Sequence, residues 1–118
     1  MDAFENLDVW KRSVALAVNI YRALISCRDH ALKDQMTRAA ISISSNIAEG
    51  FERNSSRQFS HYLAIAKGSC GELRSQLTIC QQLEIINNTD ANRLIQECRG
   101  ISMMLQGLIK YCRRRTES

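Results

Sequence analysis

The sequence predicts an all-α fold, an antiparallel up-down-up-down four-helix bundle forming one domain over residues 1–118. Three observations carry this. The chain of 118 residues holds no proline and only five glycines, which removes the usual helix breakers. Apolar residues recur three and four apart through nearly the whole length, the period of one helix face. Three short polar stretches, SCRDHALKD, Asn54-Ser55 and NNTD, cut that pattern into four segments, and short connections favour antiparallel neighbours.

The first helix is predicted over residues 8–27, with Asp8 as its cap and Phe4 and Leu7 packing beneath its start. Trp10, Val14, Ala17, Tyr21 and Leu24 form one face, and a second series, Val9, Leu16, Ile20 and Ala23, widens it. The second helix is predicted over 32–52, with a core stripe of Leu32, Met36, Ala39, Ile43 and Ile47. Its ISISSNI run is a poor helix former. The flanking period is helical, however, and no second strand exists for it to pair with.

The third helix is predicted over 56–86. Ser55-x-x-Gln58 reads as a capping box, and Phe59, Leu63, Ala66, Cys70, Leu73, Leu77 and Cys80 form a heptad seam. A second seam lies about 100° around the same helix: Tyr62, Ile65, Ser69, Glu72, Gln76, Ile79, Leu83 and Ile86. It reads either as a wide core face or as an oligomer interface at Tyr62, Ile65, Ile79, Leu83 and Ile86, with the polar middle fixing register. The fourth helix is predicted over 90–112, capped by Asp90 or Thr89. Leu94, Cys98, Ile101, Leu105, Leu108 and Cys112 make its seam, and a basic tail follows over 113–118. Gly100 and Gly107 share a face where a neighbouring helix can come close, at Gly68 and Gly71.

Composition narrows the function. No apolar run reaches the ~18 residues of a membrane span, and the N-terminus does not read as a signal peptide, so a cytoplasmic protein is expected. The five cysteines are odd in number and lack any C-x-x-C pair, so they read as small hydrophobes in a reducing compartment. No metal set, cofactor motif or catalytic constellation is visible. Arg57 and His61 stand too close in sequence for the arginine–histidine pair of α-helical ribonucleases, and His30 and His61 read as surface residues. The chain is therefore expected not to be an enzyme.

Net charge is +4, and the candidate phosphate contacts are Arg53, Arg57, Lys67, Arg74 and the tail arginines Arg113, Arg114 and Arg115. A polar stripe on the second helix, Arg38, Asn46, Glu49 and Arg53, together with Lys67, Ser69 and Glu72 on the third, reads as a simple i, i+4 pair of Glu49 with Arg53, as a hydrogen-bonded network between the two helices or at a subunit contact, or as a ligand site, with the structural network favoured over the ligand site.

Leu7-x-Val9-Trp10, Ile20-Tyr21, Gln35-x-x-Arg38-Ala39-Ala40-x-Ser42-Ile43, Asn46-Ile47-Ala48-Glu49-Gly50 and Ala66-Lys67-Gly68-Ser69-x-x-Glu72-Leu73 stand in that order. Together they resemble the bacterial four-helix-bundle proteins encoded in intervening sequences of 23S rRNA genes. The resemblance implies a ring-like homopentamer. It also implies kinship with the accessory variability proteins of diversity-generating retroelements, basic pentamers that bind nucleic acid and a reverse transcriptase. Ser44 stands where the family has proline, Lys67 where it has arginine, and a Phe-Pro-x-x-Glu element before the second helix is missing. Two functions from different classes follow: binding of RNA or DNA through the basic surface, or a scaffold that docks a partner such as a polymerase or reverse transcriptase.

Overall fold

The computed structural model describes residues 3–117, and those residues form four α-helices and no strand. A short 3-10 turn, Phe4–Asn6, leads into α1 (Asp8–Ala23), α2 (His30–Glu52), α3 (Ser56–Gln82) and α4 (Asn88–Glu117). α3 packs against both α2 and α4, and α1 closes the bundle by touching α2 and α4. Met1, Asp2 and Ser118 lie outside the described residues.

The core follows from the apolar periods. Leu16, Ile20, Met36, Ile43, Ile47, Leu63, Leu73, Leu77, Ile101 and Leu105 are fully buried, and each contributes about 1.5–3 kcal/mol of hydrophobic stabilisation. On α1 the second apolar series is the buried one: Val9, Leu16 and Ile20 face inward beside Ser13, whose hydroxyl donates to the Val9 carbonyl at 2.6 Å. Trp10, Val14 and Ala17 are only half-buried, and Tyr21 is exposed. The ISISSNI run is helical, and its polar side chains find local partners. Asn46 donates to the Ser42 carbonyl at 2.8 Å and to the Ser42 hydroxyl at 2.9 Å.

The ends of the helices depart from expectation, each for a physical reason. Leu7 precedes α1 without a side-chain cap, and Asp8 is the first helical residue. α1 stops at Ala23 rather than Cys27, because the chain must turn back: Ile25 N–H donates to the Arg22 carbonyl, and Cys27 N–H to that of Leu24. α2 starts early because the Asp29 carboxylate accepts from Leu32 N–H at 3.0 Å, a true N-cap. Asn54 takes the left-handed conformation (φ 55°) between α2 and α3, and the Ser55 hydroxyl then accepts from Gln58 N–H at 3.4 Å.

α3 ends at Gln82, four residues short. Glu84 is left-handed (φ 60°), and Ile85 and Ile86 both donate their N–H to the Cys80 carbonyl, a tight C-terminal turn. That turn carries Ile86 back into the core, where it is 4% exposed. Ile86 is therefore a core residue and no part of an exposed interface. Neither Thr89 nor Asp90 caps α4; Asn87 does, its side-chain oxygen accepting from Asp90 N–H at 2.9 Å. At the other end α4 continues through Arg113, Arg114 and Arg115, so the arginines expected in a tail are displayed on a helix.

Candidate functional site

Arg57, Ser60, Ala64, Lys67, Gly71 and Arg74 are spaced alternately three and four along α3, a single helix stripe. α3 turns a different stripe to α2: Ser69 donates to the Ser42 hydroxyl at 3.0 Å, and Cys80 meets the Met36 sulfur at 3.4 Å. The first stripe is thereby left to the α4 side. There Ala64, Lys67, Gly68, Gly71 and Arg74 line one wall of a groove of about 490 Å3, and Gln106, Ile109 and Arg113 of α4 line the other. Arg113 is shared with a smaller concavity of about 250 Å3 that also takes in Arg57 and Ser60. The four cations thus follow one track along the α3/α4 seam.

Among the described residues, no carboxylate lines either concavity. The ion pairs seen among the described residues are Arg12–Glu97, Asp34–Arg38, Glu49–Arg53 and Asp90–Arg93, and among those residues no acid pairs with Arg57, Lys67, Arg74 or Arg113. Like charges gathered on one seam repel each other, and an anion laid between them relieves that repulsion. The seam carries no aromatic side chain, so it offers contacts to phosphate rather than platforms for bases.

A family model described as 23S rRNA-intervening sequence protein matches residues 5–107. The chain belongs to this family. A solved structure, a protein of unknown function from the S23 ribosomal protein family of Bacteroides thetaiotaomicron, superposes with a TM-score of 0.81 at 25% identity, covering 86% of this chain and 98% of that one. Among curated proteins, none matches.

In this member of the family the other expected contacts lie elsewhere. Arg53 caps α2, pairs with Glu49 at 3.2 Å and sits over the Tyr62 ring at 5.2 Å. Arg115 lies over Tyr111 and donates to its hydroxyl at 3.1 Å, beside a separate concavity of about 720 Å3 that Glu52 and Asn54 also line. Arg114 is exposed and borders neither concavity of the α3/α4 seam.

The polar stripe between α2 and α3 is smaller than expected. Asn46, Ser42 and Ser69 form a connected chain of hydrogen bonds across the two helices. Arg38 instead pairs with Asp34 within α2 at 2.9 Å, Glu49 is held by Arg53, and Glu72 is exposed. Lys67 cannot join them, because it faces α4. In the second seam of α3, Ser69 and Gln76 are buried, Ser69 on Ser42 of α2, Tyr62 is half-buried, and Ile65, Glu72, Ile79 and Leu83 are exposed.

The glycines also sort differently from expectation. A Cβ on Gly50 would fall 2.6 Å from that of Tyr62, which makes Gly50 a point where α2 and α3 come too close for a side chain. Gly100 accommodates the Arg12 guanidinium, 2.9 Å from where its Cβ would be, while Arg12 pairs with Glu97. Gly68, Gly71 and Gly107 have nothing within 4 Å of that position, so no helix of this chain approaches them.

The cysteines are a core feature. Cys70, Cys80, Cys98 and Cys112 are buried free thiols and Cys27 is half-buried. Burial raises Cys70 to about 11, with Arg74 pulling weakly the other way, and raises Cys98 to about 12. Thiols held neutral in this way are poor nucleophiles. Among the described residues, no group of His, Cys, Asp or Glu is arranged to hold a metal ion, and no helix is long and apolar enough to cross a membrane.

Proposed function

We propose that this chain is a non-enzymatic, homo-oligomeric nucleic-acid-binding protein that works in the cytoplasm and holds a phosphate backbone along its α3/α4 seam. The observation that carries this reading is the convergence of Arg57, Lys67, Arg74 and Arg113 on one seam where, among the described residues, no carboxylate stands with them. Free thiols throughout suit a reducing compartment. In this reading the helices run up-down-up-down and five copies close a ring. The exposed apolar residues on α1 (Val18, Tyr21, Ile25) and on α3 (Ile65, Ile79, Leu83) are the apolar surface that subunits in such a ring would bury.

Those same residues favour a second reading, in which the oligomer docks a polymerase-like protein. The two separate cleanly. Size-exclusion chromatography with light scattering, on protein purified without nuclease, reads mass and nucleic-acid absorbance together. A pentamer-sized species carrying nucleic acid supports the first reading, and a clean pentamer transfers the weight to the second. A monomer free of nucleic acid overturns both.

A further inference from the structure

Two apolar stripes on the outside of the bundle differ in charge, and that difference selects what covers them. Val14, Val18 and Tyr21 of α1 continue into Ile25 of the following turn at spacings of four and three. Val14 is half-buried and the other three are exposed. Val18 is nine residues on from Val9, two and a half turns at 3.6 residues per turn, so it points away from the buried line of Val9, Ser13, Leu16 and Ile20. On α3 the exposed line is Ile65, Glu72 and Ile79, with Leu83 at the helix end. Glu72 stands five residues beyond Lys67, about 140° round the helix, so this line is on a different flank from the basic seam. α1 and α3 lie on the diagonal of the bundle: each packs on α2 and α4, and they do not pack on one another. The stripes are therefore two separate surfaces of one subunit.

Their charges are complementary. Lys11 and Arg22 flank the α1 stripe; both are exposed and, among the described residues, neither pairs with an acid. Glu72 interrupts the α3 stripe and Glu84 follows it; both are exposed and, among the described residues, neither pairs with a base. Like stripes would meet at a cost. Two α3 stripes related by a two-fold axis bring the Glu72 carboxylates of two copies together near the middle of the contact, and two α1 stripes set Lys11 and Arg22 against their own kind. α1 laid on α3 instead buries apolar surface on apolar surface and sets unpaired cations against unpaired carboxylates.

Resting on the homo-oligomeric reading given above, we infer that a second copy of this chain seats its α1 stripe on the α3 stripe of the first, a head-to-tail contact in which the Lys11 and Arg22 side of one copy faces the Glu72 and Glu84 side of the next. Each copy then still offers one stripe of either kind, so the contact repeats round a ring or along a filament and does not stop at a two-fold dimer.

The test mixes two variants of the full chain, with mass read by light scattering after size exclusion and folding by circular dichroism. Val18→Glu/Tyr21→Glu spoils the α1 stripe and Ile65→Lys/Ile79→Lys spoils the α3 stripe; glutamate and lysine are good helix formers. The natural chain is expected as a multi-subunit assembly and each variant as a monomer. Mixed in equal amounts, the two variants should give a one-to-one dimer, because each keeps the stripe that the other has lost. Glu72→Lys, a change at one exposed side chain, should raise the concentration at which the natural assembly falls apart by about tenfold or more. Variants that hold the natural mass on their own overturn the inference and leave the oligomeric reading standing. Folded monomers that stay monomers when mixed overturn the head-to-tail pairing, and so does a variant that dimerises by itself, the mark of like stripe on like. If either double variant loses its helicity, Glu72→Lys decides, and an unchanged dissociation overturns the inference. A natural chain that is itself a monomer overturns the oligomeric reading as well.

Discussion

Replacing Gly50 by alanine should loosen the α2–α3 contact, although alanine is the better helix former. The added Cβ would stand 2.6 Å from Tyr62 Cβ, 3.1 Å from Phe59 Cδ1 and 3.4 Å from the Phe59 carbonyl oxygen. Tyr62 Cβ is fixed to the α3 backbone, so no rotamer change removes the clash and one helix must shift. Overpacking of this kind costs about 1–3 kcal/mol, and a contact with a Cβ belongs at the upper end. Alanine returns about 1 kcal/mol of helix propensity. The net expectation is a loss of about 2 kcal/mol, or roughly 8 °C in melting temperature for a domain of this size. Gly100→Ala meets only the end of the Arg12 side chain, which can swing aside, and should be close to neutral. Gly68→Ala and Gly71→Ala meet nothing and should each gain about 0.5–1 kcal/mol. Urea and thermal unfolding of the four variants give the order directly. A Gly50→Ala protein as stable as the Gly68→Ala protein would refute the reasoning from missing Cβ atoms.

Other expectations follow from the same structure. Glu84→Gly should stabilise the chain by about 1 kcal/mol in urea unfolding, because a left-handed residue at a helix end strains any side chain with a Cβ. With a thiol reagent under native conditions Cys27 should react first, and Cys70, Cys80, Cys98 and Cys112 only on unfolding; rapid native labelling of all five would contradict the packing. Stability should be flat through neutral pH and fall above about pH 9, where exposed thiols ionise while folded Cys70 and Cys98 stay protonated to about 11 and about 12. The native state then holds more protons than the unfolded one, so stability is lost as pH rises, by up to about 1.4 kcal/mol per pH unit for each thiol. Unfolding curves that keep the same midpoint from neutral pH to pH 10 would remove that linkage.

The helices were legible because four amphipathic periods run nearly without interruption, and Met36, Leu63, Leu77 and Leu105 could be placed in the core from spacing alone. Their ends were less so. Leu24 and Cys27, and likewise Leu83 and Ile86, extend the apolar period beyond the helix, so periodicity overran the turns; the backbone turns at Arg22 and Cys80 that stop the helices leave no mark on hydropathy. The caps Asp29 and Asn87 were missed: the second helix was begun at Leu32 with no cap assigned, and the choice of Thr89 or Asp90 passed over the Asn87 side chain that accepts from Asp90 N–H. The basic seam was half legible. Arg57, Lys67, Arg74 and Arg113 were named from charge, but the spacing that puts Ser60, Ala64 and Gly71 between them carried the stripe, and it escaped notice because those residues are small and neutral. Arg53 illustrates the converse: its charge looked available, while the structure spends it on Glu49 and Tyr62.

The most direct test of the account is the salt dependence of single-strand binding. Each phosphate neutralised contributes about 0.7 to the slope of log affinity against log salt for a single strand. If Lys67, Arg74 and Arg113 grip the backbone, the triple variant Lys67→Gln/Arg74→Gln/Arg113→Gln should lower that slope by about 2 and leave the melting temperature unchanged. A slope as steep in the triple variant as in the natural protein would contradict it, because the phosphate contacts would then lie elsewhere than along α3 and α4.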